Sequence, residues 1–234
     1  MAHSPLLGQP CLICKSPAPI FYQDTRTFYK CPNCWLIFTN DLPDKTFEEN
    51  HYKTQWQNTE PEFWKNQTNA LVSYIQKYLS PKRVLDFGSG SGEMTEELKR
   101  HGYQVTALEP MHDGYLKDQS YPFLFDVVVA VEVIEHLPNV WEELEQIEKV
   151  LQPEGIMVFS TGLTNPFIEL PDAAEHFKTW WYKDDPTHLS FFCNHTLGVM
   201  ADMRDYTIDI YDDKLFVVRR NKSPQPPSQK GGLK

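Results

Sequence analysis

Four cysteines, Cys11, Cys14, Cys31 and Cys34, fall in the first 34 of 234 residues with the spacing C-x2-C-x16-C-x2-C. Each close pair can present two thiolates from one tight knuckle, and two knuckles complete a tetrahedron of soft donors. Zinc suits such a shell: a d10 cation takes four thiolates at about 2.3 Å, and the closed shell leaves no position for a substrate. The expected role is structural. The fifth cysteine, Cys193, stands alone among aromatic residues and reads as a small buried hydrophobe. An odd count in a chain whose start lacks the marks of a signal peptide argues against a disulfide framework.

A second set of residues suits a small ligand. In V-L-D-F-G-S-G-S-G-E, Val84 to Glu93, the glycines Gly88, Gly90 and Gly92 and the intervening Ser89 sit where a strand turns into a helix. Such a loop brings a ligand against the main chain and the helix N-terminus. A dinucleotide loop, G-x-G-x-x-G, would carry glycine or alanine at position 93, where Glu93 stands. Asp86 would oppose a pyrophosphate, yet it can hold a cationic amino group directly or through a water. Glu109, 23 residues further on, ends the next strand, where a carboxylate accepts ribose hydroxyls. An amino group, a ribose and no pyrophosphate describe S-adenosylmethionine.

The D-F-G-S-G-S-G run followed by A-L-E-P resembles motif I and the acidic post-motif of class I S-adenosylmethionine-dependent methyltransferases. The E-V-I-E-H-L run, Glu132 to Leu137, resembles the fourth-strand signature of the same family. The resemblance implies a Rossmann-like α/β sheet and a cofactor site made of Asp86, Gly88, Ser89, Gly90, Gly92, Glu109 and Glu132. With four cysteines ahead and W-W-Y-K-D-D-P-T-H-L-S-F-F behind, the chain up to about Arg220 is similar to bacterial zinc-ribbon methyltransferases of the broad ubiquinone-methylase-like type. Two departures stand out. Trp35 occupies a position where many ribbons carry glycine. Only 15 residues, Pro110 to Leu124, separate the second strand from the Phe125 strand, and a full strand-helix-strand crossover takes about 30. The third strand and its adenine-contacting acid are expected to be missing.

Methyl transfer from a sulfonium is an in-line displacement, so alignment of the acceptor supplies much of the rate, and a base is needed only if the acceptor loses a proton. His188, in D-P-T-H, is the candidate base; a hydrogen-bonded structural histidine is the competing reading. Trp180, Trp181, Tyr182, Phe191 and Phe192 around it would either wall an acceptor pocket or close the sheet. Glu132, Glu135 and His136, at i, i+3 and i+4, can converge with His188 as a fourth ligand. Small-RNA 2'-O-methyltransferases have a similar E-x-x-E-H run and a downstream histidine that bind a divalent ion, whereas in metal-independent relatives the histidine packs or caps.

These groups need positioning elements. The segment I-F-Y-Q-D-T-R-T-F-Y-K, between the cysteine pairs, alternates as a short hairpin would, in a lobe too small to fold without its metal. Residues 41–58 read as a connector. Helical spacing from Thr59 to Leu79 puts Phe63, Trp64, Ala70, Leu71, Tyr74, Ile75, Tyr78 and Leu79 on one face, with Thr59 and Glu62 as a capping box. Short apolar strands then alternate with amphipathic helices: strands at 83–87, 103–109, 125–131 and 155–161, helices at 92–100, 139–151 and 194–203, and a closing hairpin of 206–211 and 215–219. The division expected is a zinc ribbon (1–40), a helical connector (41–80), a cofactor domain (81–220) and a disordered tail (221–234).

Composition narrows the functional classes. Twenty-two basic against 32 acidic residues give a net charge of -10, which is unlike a nucleic-acid arm, and 41% hydrophobic residues permit a sizeable core. The most apolar stretch, Phe123 to Val133, is broken by Asp126 and Glu132 and is too short to span a bilayer. The expectation is a cytoplasmic methyltransferase acting on an oxygen, or less readily a nitrogen, of a small molecule such as a sugar, quinol or secondary metabolite. An RNA methyltransferase that docks RNA through its ribbon is the alternative, although five basic residues in the first 60 face six acids. An inactive scaffold that binds protein through the ribbon is the third.

Overall fold

The computed structural model describes residues 8–44, 47 and 61–221. The cysteine-rich part contains the antiparallel pair β1 (Gln9–Pro10) and β2 (Pro17–Ala18), then β3 (Ile20–Gln23), β4 (Thr27–Lys30) and β5 (Ile37–Thr39). The expected hairpin is the β3–β4 pair. Helix α1 (Pro61–Ile75) follows; Thr59 of the expected capping box lies outside the described residues. After Ile75 the chain tightens into i→i+3 bonds, Lys77 to Tyr74 and Tyr78 to Ile75, instead of continuing as helix to Leu79. The buried face of α1 also differs from expectation. Thr68, Leu71, Val72 and Ile75 point inward, while Phe63 and Ala70 are exposed because they flank that stripe.

The remaining elements are β6 (Arg83–Phe87), α2 (Glu93–Arg100), β7 (Gln104–Leu108), the short α3 (Pro110–Asp113), β8 (Phe125–Val131), α4 (Val140–Val150), β9 (Leu151–Ser160), α5 (Ala173–Thr179), β10 (Ser190–Phe191), α6 (Asn194–Arg204), β11 (Tyr206–Ile210) and β12 (Leu215–Arg220), of which α3, α5 and β10 were not expected and β9 starts four residues before the expected 155. Six strands form one sheet in the order β11-β12-β9-β8-β6-β7. The β7–β6–β8–β9 part is parallel, and β12 and β11 close it antiparallel. Val127, Val128 and Val129 of central β8 are buried on both faces, as a parallel sheet covered by helices demands. Between β7 and β8 the described chain holds only α3 and a 3-10 turn at Leu116–Asp118, so the third strand is absent and β7 is the sheet edge. Among the described residues no helix is long and apolar enough to cross a membrane.

The cysteine-rich part does not stand apart. β10, from far down the chain, pairs antiparallel with β5 and completes a four-stranded sheet, β10-β5-β4-β3. Phe28 and Ile37 of this sheet share a buried cluster with Phe177, Tyr182 and Phe191. Trp141 Nε1 donates to the carbonyl of Ile13, and Thr196 Oγ1 to that of Cys34.

Candidate active site

The loop after β6 turns on Gly88, Gly90 and Gly92, with φ of 76°, 53° and 91°. A Cβ on Gly88 would lie 2.4 Å from Val133 Cγ2, so glycine here lets the loop approach the segment after β8. A Cβ on Gly90 or Gly92 would meet nothing within 4 Å: the main chain faces open space at the carboxyl ends of the strands, where ligands of open α/β sheets bind. Glu109, at the end of β7, caps α3 by accepting from Met111 N–H (3.2 Å) and reaches back to accept from Gly90 N–H (2.8 Å). Asp86 lies beneath the loop, 2% exposed, and accepts from Thr95 Oγ1. Burial pushes its carboxyl up to about 6, against the pull of the Thr95 hydroxyl.

One strand over, the chain leaves β8 through Glu132 in the left-handed region (φ 54°) and enters a 3-10 turn at Ile134–His136. The strain at Glu132 is held by its N–H, which donates to Ser160 O at 2.8 Å. Glu135 is fully buried, and its carbonyl accepts from Leu189 N–H at 2.8 Å. Tyr182 Oη meets Thr161 Oγ1 (3.0 Å), Glu132 Oε2 (2.8 Å) and Glu135 Oε1. One phenolic proton cannot serve two carboxylates. Burial first, then the neighbouring Glu132, lifts the Glu135 carboxyl well above the usual range, while burial raises that of Glu132.

Two imidazoles face this carboxylate. His188 Nδ1 lies 2.7 Å from the Tyr182 carbonyl and His136 Nδ1 lies 3.1 Å from that of Thr187. A carbonyl only accepts, so both rings carry their proton on Nδ1 and turn Nε2 toward Glu135 Oε1, 4.0 Å from each. The rings stand 4.7 Å apart, and donor atoms of Glu135, His136 and His188 lie within 4.8 Å of one another. Glu135 Oε2 has no hydrogen-bond partner. Glu132, expected in the same ligand group, is joined to it through Tyr182 instead.

The four cysteine sulfurs also lie within 4.8 Å of one another, with Cys11–Cys34 and Cys14–Cys31 both at 3.4 Å. Hydrogen bonding from Cys34 pulls the Cys11 thiol down to about 5, against its burial. Each knuckle closes alike: Lys15 N–H donates to Cys11 O and Trp35 N–H to Cys31 O, with Lys15 and Trp35 at φ of 61° and 62°. The left-handed Trp35, where glycine would be unstrained, lies against His195 with ring centroids 4.3 Å apart. Cys193 is buried beside Thr196.

A parallel-rich sheet with a glycine loop and an acid at neighbouring strand ends defines a Rossmann-like α/β domain, a class whose ligands bind in the crevice at those ends. The chain belongs to the methyltransferase domain family, whose pattern matches residues 32–209. Among curated relatives, it is 31% identical over 144 residues to a ubiquinone biosynthesis O-methyltransferase of Vibrio cholerae, covering 50% of this chain and 58% of that protein. The Rickettsia akari protein of the same name is 27% identical over 111 residues, covering 39% and 44%. The chain thus spans about half the length of the curated relatives it matches. Among solved structures, the plantazolicin methyltransferase BpumL in complex with SAH superposes with a TM-score of 0.53 at 16% identity, over 76% of this chain and 91% of that one. Streptomyces venezuelae DesVI superposes at 0.52 and 12%, over 74% and 98%. At these identities the likeness is one of fold.

Proposed function

We propose that this chain transfers a methyl group from S-adenosylmethionine to an oxygen of a small molecule, a quinol being the acceptor class nearest to the names of its curated relatives. The observation that carries the reading is the juxtaposition, at the carboxyl ends of adjacent parallel strands, of the open glycine loop with Glu109 and the His188–Glu135 cluster. Once bound, the donor offers a sulfonium methyl for in-line displacement. Main-chain groups of Gly88, Ser89, Gly90 and Gly92 form the bed for it, Glu109 takes the ribose hydroxyls, and Asp86 and Glu132 face the positive end. His188, its proton fixed on Nδ1, takes the acceptor's proton at Nε2. The missing third strand leaves the adenine edge to the α3 segment, where Met111 and Tyr115 are exposed. The four-sulfur set, with Cys11, Cys31 and Cys34 buried and Cys14 half-buried, fits a structural zinc ion, and the place of action is the cytoplasm.

The convergence of Glu135, His136 and His188, with donor atoms within 4.8 Å of one another, favours a second reading of the same cluster. Glu135, His136 and His188 would hold a divalent cation, which lowers the pKa of a hydroxyl bound to it. Labelled S-adenosylmethionine, incubated with the protein and cell extract, tests the proposal: label should enter the small-molecule fraction, and label in RNA or protein would overturn the acceptor class. Loss of transfer on chelation with the ribbon zinc retained selects the cation, and retained transfer removes it; full activity of His188→Ala would exclude His188 as the base.

A further inference from the structure

The turn that carries His188 is bonded from the cysteine-rich sheet. At the tip of the β3–β4 hairpin, Arg26 Nη1 donates to the carbonyls of Pro186 (3.2 Å) and His188 (3.0 Å), and Nη2 donates to that of Lys183. One guanidinium thus gathers three carbonyls of a single turn, which a planar fork of N–H groups can do and a lysine ammonium on a flexible stem cannot do with the same geometry. The Phe28 ring supports the guanidinium from 4.9 Å. The turn returns the contact: Lys183 Nζ, 5% exposed, bonds Asp24 Oδ2 at 3.2 Å. The next peptide is held as well. Thr39 N–H of β5 donates to Leu189 O (2.9 Å), and Leu189 N–H donates to Glu135 O (2.8 Å), so one residue joins the ribbon sheet to the Glu135 turn.

We propose that Arg26 is a positioning residue for His188. By fixing the carbonyls on either side of the turn it holds the Tyr182 carbonyl against Nδ1, which keeps the imidazole proton there and Nε2 toward Glu135. The cysteine-rich lobe then serves the site as a scaffold for one imidazole. The functional meaning of this rests on the methyl-transfer reading above, whereas the placement itself does not.

The test reads the imidazole directly. In the full chain as purified, nitrogen NMR of the His188 ring should show a single form with its proton on Nδ1. Arg26→Ala should abolish that form, and Arg26→Lys, which keeps the charge and secures a folded comparison, should abolish it too. Donor affinity by calorimetry should stay within about twofold, while label transfer falls about tenfold or more, in keeping with the cost of misplacing a reacting group. A fixed Nδ1 proton in both variants would overturn the proposal, as would undiminished transfer once the fixed form is lost. If the wild-type chain binds no S-adenosylmethionine, the functional reading fails, and the NMR readout still decides whether Arg26 places the ring.

Discussion

Gly90 N–H donates to Glu109 Oε2 at 2.8 Å, tying the loop after β6 to the end of β7. The same carboxylate accepts from Met111 N–H, so one side chain sets the loop against the start of α3. Glu109→Gln keeps the size but replaces one acceptor oxygen with a donor, so either the Gly90 or the Met111 N–H loses its acceptor. We expect S-adenosylmethionine affinity to fall about tenfold or more, roughly 1.4 kcal/mol. Calorimetry that finds equal affinity would remove Glu109 from the site.

Asp86 gives a pH prediction. Its carboxyl is raised to about 6 by burial, above its unfolded value of 3.8. The folded state therefore prefers the protonated form: the stability linked to this group is full below about 4 and is lost as pH rises through about 6. Asp86→Asn retains an acceptor for Thr95 and removes the buried charge. It should stabilise the protein by about 2–3 kcal/mol at pH 7.5, with the gain vanishing near pH 4, while donor binding weakens. Denaturant melts at both pH values check the sign, and a gain that is equal at both would sink the account.

Tyr182 Oη joins Thr161, Glu132 and Glu135 in one buried knot. Tyr182→Phe leaves these groups without their shared partner, and an unsatisfied buried polar group costs about 1–3 kcal/mol. We expect the unfolding free energy to fall by that amount, read as a lower urea midpoint with an unchanged slope. A neutral outcome would mean that the two carboxylates re-pair with each other.

Cys31→Ser should release the ribbon metal, measurable with a chromogenic chelator. Because β10 belongs to the ribbon sheet through β5, the effect should reach the site. The amides of Leu189 and Phe191 should exchange at least tenfold faster, while those of Val128 and Val129 in β8 keep their protection. Unchanged exchange at Leu189 would show that the packing of Phe28, Phe177 and Phe191 holds the lobe without metal.

Much of this protein is written in local sequence. The cysteine spacing brought four sulfurs together, and the strands at 83–87, 103–109 and 125–131, the helices at 92–100, 139–151 and 194–203 and the closing hairpin followed from apolar periodicity within a residue or two, although β9 begins at Leu151 rather than 155 and α3, α5 and β10 carried no such signal. The short Pro110–Leu124 segment had no room for a third strand. Such features come from neighbours in the chain, where period 2 or 3.6 and turn chemistry act directly. E-x-x-E-H could be read as a ligand set, and the fold does unite Glu135 and His136 with His188. It was the tertiary structure that turned Glu132 toward Tyr182, fixed both imidazole protons on Nδ1, and placed Arg26 on a turn 162 residues away from it at His188. Hydrogen bonds from a side chain to distant carbonyls leave no periodicity in the sequence. They depend on where two loops meet, and that is settled only when β10 docks on β5 and the shared aromatic core closes beneath them.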